Sequence, residues 1–110
     1  MKHESDIYDM QAQLCHSLSN AVRLRIIHSL KEVPKSVNEI SGMVGESQPT
    51  VSRHLAVLRS AGLLTARRKA QEVYYEITNP KVVEVCEMMR CILAEREAVQ
   101  LDLLHRIQGE

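Results

Sequence analysis

Three groups of residues in this 110-residue chain could do chemistry: three cysteines, a segregated set of bases, and a patch of small polar side chains. Cys15, Cys86 and Cys91 are soft donors. Three thiolates suit trivalent arsenic or antimony, or another soft ion, better than magnesium or calcium. His16, beside Cys15, widens the set towards zinc. Cys86 and Cys91 are five residues apart, a step that turns about 140° around a helix, so they point in different directions. One site for both needs a distorted helix, or Cys15 reaching across from a facing helix. Two thiols within disulfide range would instead make a redox or persulfide switch. The plain alternative is three small buried hydrophobes. His3, His28 and His105 have no useful mutual spacing and read as surface or packing residues. No cysteine has a Gly-rich turn or a recognisable base and orienter beside it, which argues against a cysteine-dependent enzyme.

The bases are unevenly placed. The net charge is zero, yet Ser47 to Gln71 holds Arg53, Arg59, Arg67, Arg68 and Lys69 and no acid. The rest of the chain carries nine bases and all 14 acids. A segregated basic block is the footprint of a polyanion-binding face. With no Trp, no Phe and three Tyr, base-stacking platforms and aromatic cages are disfavoured. Four scattered glycines make no phosphate cradle. No apolar run approaches a bilayer span and no apolar signal core follows the N-terminus, so the expected location is cytoplasmic, with no membrane partner.

Periodicity supplies the elements that must position these groups. Ile7, Met10, Leu14 and Leu18 share one stripe of a first helix. Ser19 or Asn20 can cap a second, with Val22, Ile26, Ile27 and Leu30 apolar and Pro34 as its stop. Ser36-Val37-Asn38-Glu39 has the form of a capping box and opens a short third helix. Gly45 gives a turn and Ser47 caps a fourth helix, with Pro49 in its first turn and Val51, Leu55 and Leu58 as its buried stripe. Two strands, 63–68 and 73–77, follow across Lys69-Ala70-Gln71-Glu72. A last helix from Pro80 to about Ile107 would run about 42 Å, more than a domain of this size needs for itself. One domain over 1–110 is expected, modest in size for a lone core.

Short helix, tight turn, capped helix is helix-turn-helix spacing, here over about 36–61. Burying Val51, Leu55 and Leu58 turns Gln48, Pro49, Ser52, Arg53 and Ala56 outward. Small residues allow close approach to a major groove, and Gln and Arg can bond base edges bidentately. Ser47 and Thr50 sit at the positive end of the helix, where phosphate is favoured. The hairpin of 63–77, with Arg67, Arg68 and Lys69 towards its tip, stands beside that helix as a wing.

The run Ser47-Gln48-Pro49-Thr50-Val51-Ser52-Arg53-His54-Leu55, then Val57 to Leu63 and Val73-Tyr74-Tyr75, resembles the arsenic-repressor (ArsR/SmtB) family, as does Asn20-Ala21-Val22-Arg23-Leu24. The resemblance implies a mostly helical α+β fold: a winged helix-turn-helix of four helices and a hairpin wing with a long C-terminal helix. It implies a homodimer built on helices at about 5–18 and 80–107. It implies repression of an operator on double-stranded DNA, relieved by a ligand that is often a metal or metalloid. Gln48, Thr50, Ser52, Arg53 and His54 become the expected recognition-helix contacts beside Ser47, with Arg67, Arg68 and Lys69 on the wing. The thiol pair that many relatives carry in the third helix is missing, since Lys35 to Ile40 holds no cysteine. The His/Asp zinc pattern of the last helix is not evident either. The expected inducer site is therefore Cys15 with Cys86, Cys91 or both, taking As(III), Sb(III) or another soft metal, with no cofactor needed for folding. The alternatives are a thiol redox or persulfide response, and a DNA-binding regulator with inert cysteines.

Overall fold

The computed structural model describes residues 6–107. His3 and residue 5, the expected start of the first dimer helix, lie outside the described residues. The chain divides into two compact units, one up to Pro80 and one from Lys81 onward.

The first unit begins with α1 (Ile7–Ser17). Asp6 caps it, accepting from the Asp9 backbone N–H while the Asp9 side chain accepts from the Asp6 N–H. This box satisfies two N–H groups that a helix start leaves without partners. α2 (Ala21–Ser29) starts at Asn20, whose side chain accepts from the Arg23 N–H at 3.1 Å. It ends at Ser29 with Leu30 as its cap, before Pro34 is reached. α3 (Val37–Val44) opens on the reciprocal Ser36/Glu39 box and closes on Gly45 at φ +73°. That left-handed conformation favours glycine. α4 (Gln48–Ser60) starts from Ser47.

Three strands complete the unit: β1 (Lys35–Ser36), β2 (Leu64–Lys69) and β3 (Glu72–Ile77), in the antiparallel order β1-β3-β2. β1 pairs Lys35 with Tyr75 and Ser36 with Tyr74. The sequence reading has only the hairpin, since a two-residue strand merged into a capping box carries no periodicity. The hairpin is also tighter than expected. Both strands run to a two-residue turn, Ala70-Gln71, with Ala70 at φ +57°.

Ile26, Ile27, Ile40, Val51, Leu55 and Leu58 are almost wholly enclosed where α2, α3 and α4 pack together. Each contributes about 1.5–3 kcal/mol by leaving water. Thr78 ties the base of the wing to the end of α4, donating from its N–H to the Leu63 carbonyl and from its hydroxyl to the Gly62 carbonyl.

The second unit is α5 (Lys81–Ile107), 27 residues and about 40 Å long. Val82 and Cys86 are buried, while Val85, Met89, Ile92, Val99, Leu103 and Ile107 are exposed. Among the described residues, no helix is long and apolar enough to cross a membrane.

Candidate nucleic-acid interface

The stripe of α4 that turns inward leaves an outward face of one composition. Val51, Leu55 and Leu58 are fully buried, and Gln48, Pro49, Ser52, Arg53 and Ala56 are exposed. The turn before the helix is fixed by backbone bonds. Gly45 and Glu46 both donate to the Ser41 carbonyl, and the Ser41 hydroxyl donates to the Glu46 carbonyl. Ser47 then accepts from the Thr50 N–H at 3.4 Å, and its hydroxyl donates to Thr50 Oγ1 at 3.0 Å. Arg53 Nη2 reaches the same Thr50 oxygen at 3.4 Å, so Ser47, Thr50 and Arg53 are linked along one edge of the helix.

Gln48 is held from outside its helix. Its Nε2 donates to Asn38 Oδ1 of α3 at 2.6 Å. One amide N–H is thereby used, and the other N–H with Oε1 remains for a base edge. Nothing in the sequence marks Asn38 for this role. A contact across ten positions between two exposed side chains has no signature in hydrophobic spacing.

His54 sits differently from the others. It is half-buried, and its Nδ1 lies 3.2 Å from Nη1 of Arg23 on α2. Burial, then the guanidinium groups of Arg23 and Arg53, hold its pKa below the usual histidine value, against a smaller pull upward from Glu46. Of its two ring nitrogens, Nε2 alone is free of that bond.

Strand alternation sorts the wing bases. The register pairs Arg67 with Tyr74 and Lys69 with Glu72, and places Arg68 opposite Val73. Arg67 and Lys69 therefore share a face with Glu72, Tyr74 and Glu76, and Arg67 pairs with Glu76 at 3.3 Å. Arg68 projects from the other face, which holds no acid of the hairpin. The three bases are thus divided between the two faces of the hairpin.

The candidate thiols are in two states. Cys15 on α1 and Cys91 on α5 are exposed; Cys86 is buried and 3% accessible. Burial pushes the Cys86 thiol above its ordinary pKa, with Glu87 adding to the rise and Arg90 opposing it. A raised pKa leaves less of the thiolate that binds metals. Among the described residues, no three His, Cys, Asp or Glu side chains come together as a metal ion would require.

One apolar cavity, about 830 Å³, lies between α1 and the C-terminal end of α4, lined by Ile7, Met10, Leu14 and Val57 among others. The stripe expected on the first helix is thus present but open: Ile7 is 67% exposed and Met10 58%.

Residues 20–66 match the family model described as bacterial regulatory protein, arsR family. The chain is 34% identical over 86 residues to the biofilm growth-associated repressor of Xylella fastidiosa, covering 78% of this chain and 75% of that protein. It is 31% identical over 102 residues to the "Probable mercury resistance operon repressor" of Streptomyces lividans, covering 93% and 81%. Among solved structures, the homodimeric winged helix-turn-helix DNA-binding domain from Mycobacterium bovis superposes with a TM-score of 0.72 at 29% identity, over 86% of this chain and 92% of that one.

Proposed function

Since the chain belongs to the arsR family of bacterial regulatory proteins, we propose that it is a homodimeric repressor that binds a two-fold symmetric operator and is released by a ligand taken at its cysteines. The observation that carries the DNA reading is the outward face of α4, capped at Ser47, free of acids and continuous in sequence with the basic wing. Gln48, Ser52 and Arg53 read base edges in the major groove. Ser47 and Thr50 meet a phosphate at the helix start, where N–H groups and the helix dipole favour an anion. Arg67, Arg68 and Lys69 contact the flanking backbone, and His54 stands at the inner edge of this surface. The homodimeric solved relative supports two copies, as do the open apolar stripes of α1 and α5.

The inducer is a soft ligand. All three cysteines lie outside the DNA-reading segment, and the similar repressor from Streptomyces lividans is named for mercury resistance. A three-thiolate site for As(III), Sb(III) or another soft metal needs thiols from both copies, because no set of three donors forms among the described residues of one. Cys15 and Cys91 are the accessible members, and Cys86 is buried. The exposure of Cys15 and Cys91 favours a second reading, in which they are oxidised to a disulfide by a peroxide that is reduced to water, or by a persulfide that leaves as thiol and hydrogen sulfide, persulfide sulfur retained between them giving a polysulfide.

Operator affinity, measured with and without arsenite, mercury(II) and tetrasulfide, tests both readings on wild type and on Cys15→Ser, Cys86→Ser and Cys91→Ser. Under the metal reading, arsenite or mercury(II) weakens wild-type binding by a factor within the usual allosteric range of about 5–150. Cys15→Ser and Cys91→Ser abolish that response. Tetrasulfide acting where the metals do not selects the redox reading. An identical response in wild type and all three variants rules the cysteines out as the inducer site.

A further inference from the structure

Arg23 stands where three elements meet. It lies in the first turn of α2 and is half-buried. Its Nε donates to the Ser17 carbonyl at 2.7 Å and its Nη2 to the His16 carbonyl at 3.5 Å, both in the last turn of α1. Its Nη1 lies 3.2 Å from Nδ1 of His54 on α4. A guanidinium carries only donors, so Nδ1 is the acceptor. His54 is then neutral, with its proton on Nε2.

Resting on the reading of the chain as an operator-binding regulator, we infer that Arg23 is a positioning residue for DNA recognition, which ties the end of α1 to the recognition helix through neutral His54 and so sets the rotation at which α4 meets the groove. The apolar stripe of Val51, Leu55 and Leu58 holds α4 against the core, but apolar contact is non-directional and tolerates small rolls of a helix. A planar fork with fixed donor directions does not. Arg53 is the neighbour of His54 in the chain, so a roll at His54 moves the base-reading guanidinium with it. Cys15 immediately precedes, in the chain, the two residues whose carbonyls hold Arg23.

Protonation of His54 breaks this arrangement, because Nδ1–H then faces Nη1–H and a second positive charge meets the first. The charged groups facing His54 are Arg23 from α2, Arg53 on α4 itself and Glu46 from the turn after α3. The last turn of α1 presents the His16 and Ser17 carbonyls, which are already used by Arg23. Burial and the two guanidinium groups depress the pKa, so the neutral form is favoured in the fold. The contribution is therefore present above the ordinary histidine value and lost as pH falls below it. A histidine that met phosphate directly would show the opposite trend, strengthening binding as it gained charge.

The experiment measures affinity for the operator and for a scrambled duplex between about pH 5 and 8, using wild type, Arg23→Gln, His54→Ala, the double variant and His54→Gln, with folding followed by circular dichroism. Arg23→Gln and His54→Ala should each lower the ratio of specific to non-specific affinity about tenfold, the value of a hydrogen bond to a charged group. The double variant should lose no more than the worse single one. Wild type should lose specificity in acid, and His54→Gln, whose amide oxygen accepts but cannot protonate, should not. If Arg23→Gln fails to fold, the comparison of wild type with His54→Gln across pH decides. Additive losses, an unchanged ratio in folded Arg23→Gln, or parallel pH profiles for wild type and His54→Gln overturn the inference alone. Wild type that does not distinguish operator from scrambled duplex overturns the regulator reading, and the inference with it.

Discussion

At the scale of single residues, the bases on the wing are unequal. Arg67 shares its strand face with two glutamates and is paired with one; Arg68 projects from the opposite face without an acidic neighbour on the hairpin. An exposed pair of this kind contributes little to stability, but it does reduce the charge offered to a phosphate. Arg68→Ala should therefore weaken binding to all duplexes more than Arg67→Ala does. It should lower the slope of log affinity against log salt by about 0.9, the release of one counterion. Equal losses from the two variants in a salt titration would refute the sorting by strand face. The residue types at issue were legible from the acid-free block, and so was their segregation from the acids. Their facing was not, because it depends on a register set by a two-residue turn. Nor was the support given by Asn38 to Gln48, or by Arg23 to His54, visible in the sequence. Both bonds join elements whose juxtaposition only the packed core defines.

At the scale of elements, what reads from the sequence is what has a local cause. The Ser36/Glu39 box, the Ser47 cap, the Gly45 turn and the α4 stripe are present as the spacing predicts. β1 has two residues and no pattern, and the hairpin turn places alanine at φ +57°, where glycine or asparagine would have signalled it. Gly45 is the position where the helix-turn-helix depends on a single residue. An added Cβ there meets nothing within 4 Å, so the cost of Gly45→Ala is the left-handed backbone alone. That cost is about 1–2 kcal/mol, which for a unit of this size lowers the melting temperature by roughly 4–8 °C per kcal/mol. A thermal melt of Gly45→Ala should show that fall, with operator binding retained well below the transition. An unchanged melting temperature would mean that the turn relaxes to another conformation at no cost.

For the whole molecule, composition bounds the possibilities and pattern chooses among them. A neutral chain with all its acids outside one 25-residue segment presents opposite charges in different places. The open stripe of α1 and the exposed Val99, Leu103 and Ile107 of α5 leave more apolar surface than scattered single residues account for. A second copy covers it in the proposed assembly, with Leu14 of α1 among the residues at the two-fold axis. Leu103→Glu should shift the protein towards monomer in sedimentation and reduce affinity for a full site towards that for a half-site. A wild-type monomer at micromolar concentration would contradict this.

In the proposed complex, two copies of α4 read a symmetric duplex through Gln48, Ser52 and Arg53. Selection of binding sites by the purified protein from a random duplex library tests it most directly. An inverted repeat should be enriched, its half-sites centred about one helical turn apart or a multiple of it, and Arg53→Ala should lose preference at defined positions within each half. Recovery of no sequence preference, or the same preference from wild type and Arg53→Ala, would contradict it.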